Sequence, residues 1–441
     1  MAGKGAREVA LLALSACEKQ GAWSDGFLKK AIRDAGMDSR DAALCTRLCF
    51  GVLQNKLYLD DLIGRFCDIK LEKLENKVLQ ALRLGVYQMR FLTRIPHSAA
   101  VNESVNLARR YAKNPRAAGL VNGVLRSLSR AGEELPEPDD LSIRYSHPAW
   151  ITNEWMQMLG QEGAEALLAA DNGQPPTAAQ VNLCRTTEEE LTARLSSQGV
   201  TVERHPWLPG CVLLSGTGDL EQLPAFRDGL FYVQDPAARL AVLAAGPEPG
   251  MRVLDACAAP GGKSFAAAVA MGDKGDILSC DIHAHKKALI EAGAARLGFT
   301  SIMAEVMDGK VCQDHLLDSF DLVIADVPCS GLGIIRKKPD IRYKDPEPLK
   351  HLPAVQSAIL DNVAQYVKPG GVLLYATCTL LERENRAVAE SFLSRHSNFT
   401  AEAFQLPDPI GRVDTGMLTL WPHIHDTDGF FFAKLRRKGL T

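Results

Sequence analysis

From Leu240 onward, runs of Val, Ile and Leu alternate with helix-length stretches: "RVLDACAAPGGKSFAAAVA", "DILSCDI", "KKALIEAGAARLG", "SIMAEVMD", "FDLVIADVP" and "AILDNVAQYVKPGGVLLYATCT". Apolar runs without polar alternation belong to strands covered on both faces, and the helices between them are the crossovers that parallel strands require. The alternation therefore predicts a mostly parallel α/β sheet of Rossmann-like type. No internal repeat or low-complexity tract interrupts it.

Ahead of this block the texture differs. A chain of 441 residues exceeds one ordinary core and predicts two or three domains. Residues 1–132 read as a helical bundle with short polar breaks. In "ENKVLQALRLGVYQMRFLTRIP", Val78, Leu79, Leu82, Val86 and Met89 recur at helical spacing and mark a core face. Arg83, Arg90 and Arg94 fall on another face, and Pro96 stops the pattern. The Pro- and acid-rich "AGEELPEPDDL" makes residues 133–150 an expected linker. Residues 151–238 alternate strand, helix, strand, helix, strand, as in a small α+β segment of the split-βαβ, RRM-like kind. The Rossmann-like part is expected over residues 239–441.

Composition removes several classes. The 11 cysteines are odd in number and form no CxxC pair, which fits a reducing compartment and implies neither a disulfide framework nor a zinc site. Cys45 and Cys49 share a helix face, but no further ligand completes a metal set, so they read as core. No signal-peptide pattern and no window of 18 uninterrupted apolar residues occurs, so a cytoplasmic chain without a membrane partner is expected. Net charge is −3, but residues 1–130 carry 22 Lys and Arg against 12 Asp and Glu. A basic head on an acidic body points to an anionic partner, nucleic acid above all, although solvated helices give the same count.

"VLDACAAPGGKS" follows a strand and opens a helix. Its Gly262–Lys263–Ser264 resembles the end of a phosphate-binding P-loop, but Cys257 stands where that loop needs its first Gly. The GxGxxG dinucleotide fingerprint is absent as well. S-adenosylmethionine is the third ligand bound at such a turn. Residues Cys257, Ala258, Ala259, Pro260, Gly261, Gly262 and Lys263 would border its amino-acid half. Asp281 at the next strand tip would hold the ribose hydroxyls, and Asp308 at the third would meet the adenine amino group. Asp326 closes the fourth strand. One such Asp is often a mere helix cap, whereas three in register after a Gly-rich turn are more specific.

Two thiols stand just past apolar runs, Cys329 in "DVPCSGLG" and Cys378 in "YATCTLLEREN", 49 positions apart. One cysteine at a strand end commonly fills space. Two at the tips of neighbouring strands, one directly behind Asp326–Val327–Pro328, point to chemistry.

Together "DACAAPGGKS", "DVPCSGLG", "YATCTLLEREN" and "DGFFFAKL" resemble the RNA (cytosine-5)-methyltransferases. Over the whole chain the similarity is to the RsmB/Fmu/Sun-type ribosomal RNA (cytosine-5)-methyltransferases. "VNESVNLARRY" and "GLVNGVLR" are similar to the antitermination factor NusB, and "RYSHPAW" is typical just after that head. The resemblance implies methylation of carbon 5 of a cytosine in small-subunit (16S) ribosomal RNA, with S-adenosylmethionine as donor and no metal. It also implies a NusB-like RNA-binding head and a monomeric enzyme acting on free RNA or an assembling subunit.

Carbon 5 of cytosine is too poor a nucleophile to take a methyl group unaided. A thiolate added to carbon 6 turns the ring into an enamine, and carbon 5 becomes reactive. The resemblance assigns Cys378 as that thiolate and Cys329 as the partner that helps break down the adduct. Asp326 then contacts ring nitrogen 3, with a second role near the donor. DNA cytosine methyltransferases attack with a Pro-Cys thiol instead, which makes Cys329 the alternative nucleophile.

The remaining candidates are secondary. Lys263 is either a solvated first-turn residue or a partner of the cofactor or the active-site acid, and the family favours the latter. In "RKKPDIRYK", Arg336, Lys337, Lys338, Arg342 and Lys344 are expected to contact phosphates. Where the family often has Glu-Glu-Asn this chain has Arg383–Glu384–Asn385, so Glu384 and Asn385 are carried over as loop-shaping residues. The side chains of Cys257, Cys280 and Cys312 are expected to pack.

Overall fold

The computed structural model describes residues 5–20, 24–132 and 135–439. The chain divides into two compact units: Met1–Gly173 with Ile335–Lys344, and Gln174–Ile334 with Asp345–Thr441.

The first unit is helical: α1 (Ala6–Gln20), α2 (Ser24–Asp34), α3 (Ser39–Gln54), α4 (Lys56–Gly64), α5 (Asn76–Phe91), α6 (His97–Tyr111), α7 (Ala117–Ala131), α8 (Leu141–Arg144) and α9 (Ala149–Asp171). Val78, Leu79, Leu82, Val86 and Met89 of α5 are buried as their spacing requires, packed with Leu11, Leu48, Val121 and Leu125. Cys45 and Cys49 lie in the same core. Arg83 departs from the expected outer face. It is 3% exposed and forks onto Asp60, with 2.7 Å contacts from Nε and Nη2, while Nη1 reaches Glu18. A guanidinium paired in this way is structural.

The expected linker over 133–150 is only partly one. Within it α8 forms, and Ser146 and His147 are fully buried. Ser146 Oγ accepts the Leu57 N–H at 2.8 Å, tying the segment to the bundle. Helix α9 also packs in the first unit, burying Ile151, Trp155, Leu167 and Leu168. The α+β segment expected from residue 151 therefore builds its sheet only from Thr177.

That sheet comprises β1 (Thr177–Val181), β2 (Thr201–Arg204), β3 (Cys211–Ser215) and β4 (Phe231–Val233), in spatial order β2-β3-β1-β4 and antiparallel throughout. Helices α10 (Glu188–Ser197) and α11 (Pro224–Arg227) complete a βαββαβ, ferredoxin-like pattern. The hairpin β2–β3 adds a strand to the expected order. Thr187 opens α10 with a capping box, its side chain receiving the Glu190 N–H and Glu190 returning the bond.

The division expected at 238/239 is not a physical one. Ala178 and Tyr232 share a core with Leu240 and Phe265, and Asn182 Nδ2 donates to both Gly229 O and Leu297 O at 2.9 Å. After α12 (Pro236–Ala245) come β5 (Arg252–Asp255), α13 (Gly262–Ala270), β6 (Asp276–Asp281), α14 (Ala284–Leu297), β7 (Ile302–Val306) and β8 (Phe320–Asp326). Then follow α15 (Pro346–Leu349), α16 (Leu352–Val363), β9 (Val367–Thr377), α17 (Arg386–Arg395) and β10 (Phe399–Ala401). Short strands β11 (Phe404–Gln405) and β12 (Arg412–Val413) pair with each other, and β13 (Met417–Leu420), α18 (Pro422–His425) and β14 (Phe430–Arg437) end the chain.

The main sheet runs β10-β14-β9-β8-β5-β6-β7, with β13 beside β14. Strands β5 to β9 are mutually parallel, and β14 is antiparallel to β9. One face buries Val253, Ile324, Leu374 and Phe432 against α12 and α13; the other buries Leu254, Val323, Leu373 and Tyr375 against α16 and α17. Covering on both faces is what the unbroken apolar runs demanded, so the fold is Rossmann-like with a mixed sheet.

Candidate active site

In a parallel sheet all strands release their chains at one edge, and ligands gather where the strand order reverses. Here that point lies between β5, which leads outward to β6 and β7, and β8, which leads to β9. Asp255, Asp281, Asp326 and Thr377 are the last residues of β5, β6, β8 and β9. Asp308 lies two residues beyond β7, not at its tip, and its Oδ1 accepts the Lys310 N–H at 2.9 Å.

The turn after β5 is built for close approach. Gly261 has φ 110°, and a Cβ there would sit 2.5 Å from the Phe265 ring, so only glycine fits. Ala258 N–H donates to Cys280 O at 2.7 Å, holding the turn beside β6. Beneath it Ser279 Oγ bonds Ser264 Oγ, which bonds Asp255 Oδ2, both at 2.8 Å. Burial pushes the Asp255 carboxyl up to about 7 against the Ser264 hydrogen bond. Among the described residues, Asp255 Oδ1 and Gln234 Oε1 are buried acceptors without a hydrogen-bond partner, and Gln234 lies against Gly262. Asp281 receives the His283 N–H at 3.0 Å and Lys286 Nζ at 3.3 Å. Acceptors at two neighbouring tips around a glycine turn suit a ligand carrying hydroxyls and a cation.

The thiols meet. Cys329 Sγ and Cys378 Sγ are 3.1 Å apart, on loops that leave adjacent strands. Pro328 cannot donate to the ladder, so the chain turns out of β8 before Cys329. Ser330 Oγ bonds Thr379 Oγ1 at 2.7 Å, and the Gly333 N–H donates to Cys378 O at 3.0 Å. Gly333 O accepts the Gly429 N–H at 2.8 Å, and a Cβ on Gly333 would lie 1.8 Å from Gly429 O.

Glu384 and Asn385, both buried, brace the two loops from behind. Glu384 Oε2 accepts Ser330 N–H and Gln356 Nε2, each at 2.9 Å, while Gln356 Nε2 also reaches Pro328 O at 3.0 Å. Asn385 Nδ2 donates to Thr379 O at 2.9 Å. The Arg at position 383 leaves this bracing intact.

Lys263 is not solvated. Its Nζ lies 2.6 Å from Asp326 Oδ2 and 4.9 Å from the Phe430 ring centroid. Burial alone would lower the ammonium, but Asp326 overrides it and holds Lys263 above its usual range. The Cys378 thiol is held below its ordinary value, first by the hydrogen bond with Cys329 and further by Lys263, against burial and the Asp326 charge. The same bond and burial drive Cys329 well up, with Glu384 and Asp326 adding to it. Of the pair, Cys378 is the more readily ionised thiol.

Two further expectations fail. Arg342 is fully buried, with Nη1 donating to Gln54 O at 2.9 Å, Ser146 O at 3.0 Å and Asn172 Oδ1 at 3.0 Å. Nε and Nη2 are buried with no hydrogen-bond partner among the described residues, and a guanidinium with no exposed surface is out of reach of a phosphate. Cys312 is exposed rather than packed, whereas Cys280 is buried and Cys257 half-buried. Sequence reasoning missed Gln234, whose only signal is its place before a helix-opening Asp-Pro. It also gave no task to Gly333 or Gly429, because their work is to let two distant loops touch.

Residues 242–436 match the family described as 16S rRNA methyltransferase RsmB/F. Residues 4–130 match the NusB family, and residues 147–221 the ferredoxin-like domain of RsmF/B-like methyltransferases. The chain is 38% identical over 445 residues to the probable ribosomal RNA small subunit methyltransferase B of Bacillus subtilis, covering 98% of this chain and 99% of that one. With the ribosomal RNA small subunit methyltransferase B of Enterobacter sp. it shares 34% identity, over 90% and 91% of the two chains. The crystal structure of PH0851 has the same fold, with a TM-score of 0.81 at 24% identity over 98% of this chain and 99% of that one. A methyltransferase homolog protein from Pyrococcus horikoshii superposes with a TM-score of 0.57 at 27% identity, covering 68% of this chain and 98% of its own.

Proposed function

We propose that this chain, which belongs to the 16S rRNA methyltransferase RsmB/F family, methylates carbon 5 of a cytosine in small-subunit ribosomal RNA through a covalent adduct on Cys378. The observation that carries the reading is the 3.1 Å contact between Cys378 and Cys329, with Lys263 and Asp326 beside it.

The donor is S-adenosylmethionine, which supplies an electrophilic methyl group. Asp281 would hold its ribose hydroxyls, Asp308 its adenine amino group, and the turn from Cys257 to Lys263 its amino-acid half. The buried acceptors of Gln234 and Asp255 suit the positive charge of that half.

The target cytosine must leave its stack so that the ring face is open to sulfur. Cys378 thiolate adds to carbon 6, and the ring electrons move towards nitrogen 3, which takes a proton carried on Oδ1 of the Asp326 carboxyl. Lys263 fixes Asp326 through Oδ2 and leaves Oδ1 for the ring. Carbon 5 then takes the methyl group, loses its proton to a base, and the C6–S bond breaks. Cys329, which keeps its proton, assists that last step. The reaction belongs in the cytoplasm, with a monomer acting on free RNA or an assembling subunit, and it calls for no metal.

The test is methyl transfer from labelled S-adenosylmethionine to 16S rRNA and, separately, to duplex DNA. Label at C5 of RNA cytosine that depends on Cys378 supports the reading. Label on DNA that depends on Cys329 overturns it, as does RNA binding without label.

A further inference from the structure

We propose that the groove between α6 and α7 is a single-stranded RNA track, with phosphates on Arg126 and Arg130 and a base stacked on Phe91; this rests on RNA being the substrate. The groove encloses 670 Å³, and its lining contains both arginines, Asn102 and three serines but no carboxylate. Arg126 and Arg130 are one helical turn apart and exposed, and neither is paired with an acid among the described residues. Such cations are where a polyanion releases counterions. Val101 is the sole large apolar residue in the lining, so a protein helix would find little to bury there.

A second cavity of 330 Å³ adjoins the first through Ser129, which lines both. Phe91 at its edge is 38% exposed, and its ring stacks on Tyr87 at 5.3 Å and 24°. An aromatic face held rigid from behind is a stacking platform for a nucleobase. Arg90 lines the same cavity. Its Nη1 donates to Gly132 O at 3.2 Å. Glu137, the one acid in this cavity, accepts from Tyr58 Oη at 3.1 Å. The basic balance of residues 1–130 thus has a defined place in which to act.

The test measures binding of the full chain to 16S rRNA across a salt series. Arg126→Ala with Arg130→Ala should raise Kd about tenfold and flatten the log–log salt slope by about 1.4, two single-strand phosphate contacts at about 0.7 each. Phe91→Ala should raise Kd about tenfold with the slope unchanged. Neither should alter the Kd for S-adenosylmethionine or kcat at saturating RNA. Lys30→Ala with Arg40→Ala, equal in charge on other helices, should leave the slope in place. If the wild-type chain binds RNA and the Arg126/Arg130 variant keeps its Kd and slope, the track is overturned. It is overturned equally if that variant keeps RNA but loses a bound protein. A wild-type chain that binds RNA through this groove yet transfers no methyl group sinks the proposed function instead.

Discussion

The sulfurs of Cys329 and Cys378 are 3.1 Å apart, although 49 residues of chain separate them. Cys378→Ser should abolish methylation of RNA, by at least about 10³-fold in kcat, because a hydroxyl is far less ionised than a thiol. Cys329→Ser should instead transfer methyl groups and then stall, leaving a protein–RNA adduct that survives denaturing electrophoresis. Equal loss in both variants without an adduct would refute the division of labour.

The hydrogen bond with Cys329 lowers the Cys378 thiol first, and the Lys263 charge lowers it further, so the thiolate form persists to lower pH. If thiolate is the attacking species, the acidic limb of the single-turnover pH–rate profile follows Cys378. Lys263→Met should move that limb to higher pH, on the order of one unit, and lower the rate at neutral pH about tenfold. A limb that stays put would mean that Lys263 acts on something else.

Asp255 is buried with its carboxyl raised to about 7. A raised acid holds its proton in the folded state while the unfolded chain has already lost it. Between the unfolded value near 3.8 and about 7, rising pH therefore weakens the fold. Asp255→Asn keeps an acceptor for Ser264 and removes this titration. The expected result is a flatter dependence of Tm on pH between about 5 and 8. An unchanged slope would place the proton elsewhere.

Arg342 satisfies three acceptors from a buried position. Arg342→Met should destabilise the first unit by about 3 kcal/mol, the cost of leaving buried acceptors unmade, seen as an earlier urea transition. Arg342→Lys should recover only part of it, since an ammonium lacks the planar fork. Loss of RNA affinity with full stability would restore the phosphate role expected from sequence.

Legibility followed the range of the forces involved. Continuous Val, Ile and Leu runs declare a sheet covered on both sides, and Gly261–Gly262 declare a turn, because both are local. The thiol pair could be read from its chemistry, since two cysteines behind strand ends have few other uses. Hairpin β2–β3 was missed because "CVLLSGTG" reads as one strand whichever neighbour it pairs with. Arg83 and Arg342 looked like surface cations because their partners, Asp60 and the carbonyls of Gln54 and Ser146, are distant in sequence. Burial of a charge is decided by partners that only the folded chain assembles.

Residues 335–344 leave the catalytic unit after Ile334 and rejoin it at Asp345, having packed in the helical one. A cut at residue 173 therefore does not yield two intact proteins. The N-terminal fragment would lose the guanidinium that fills its interior, and the remainder would present Arg342 and Tyr343 to solvent on a strap with no seat. The order of segments along the sequence suggests a detachable head; the covalent route of the chain makes it an inseparable one.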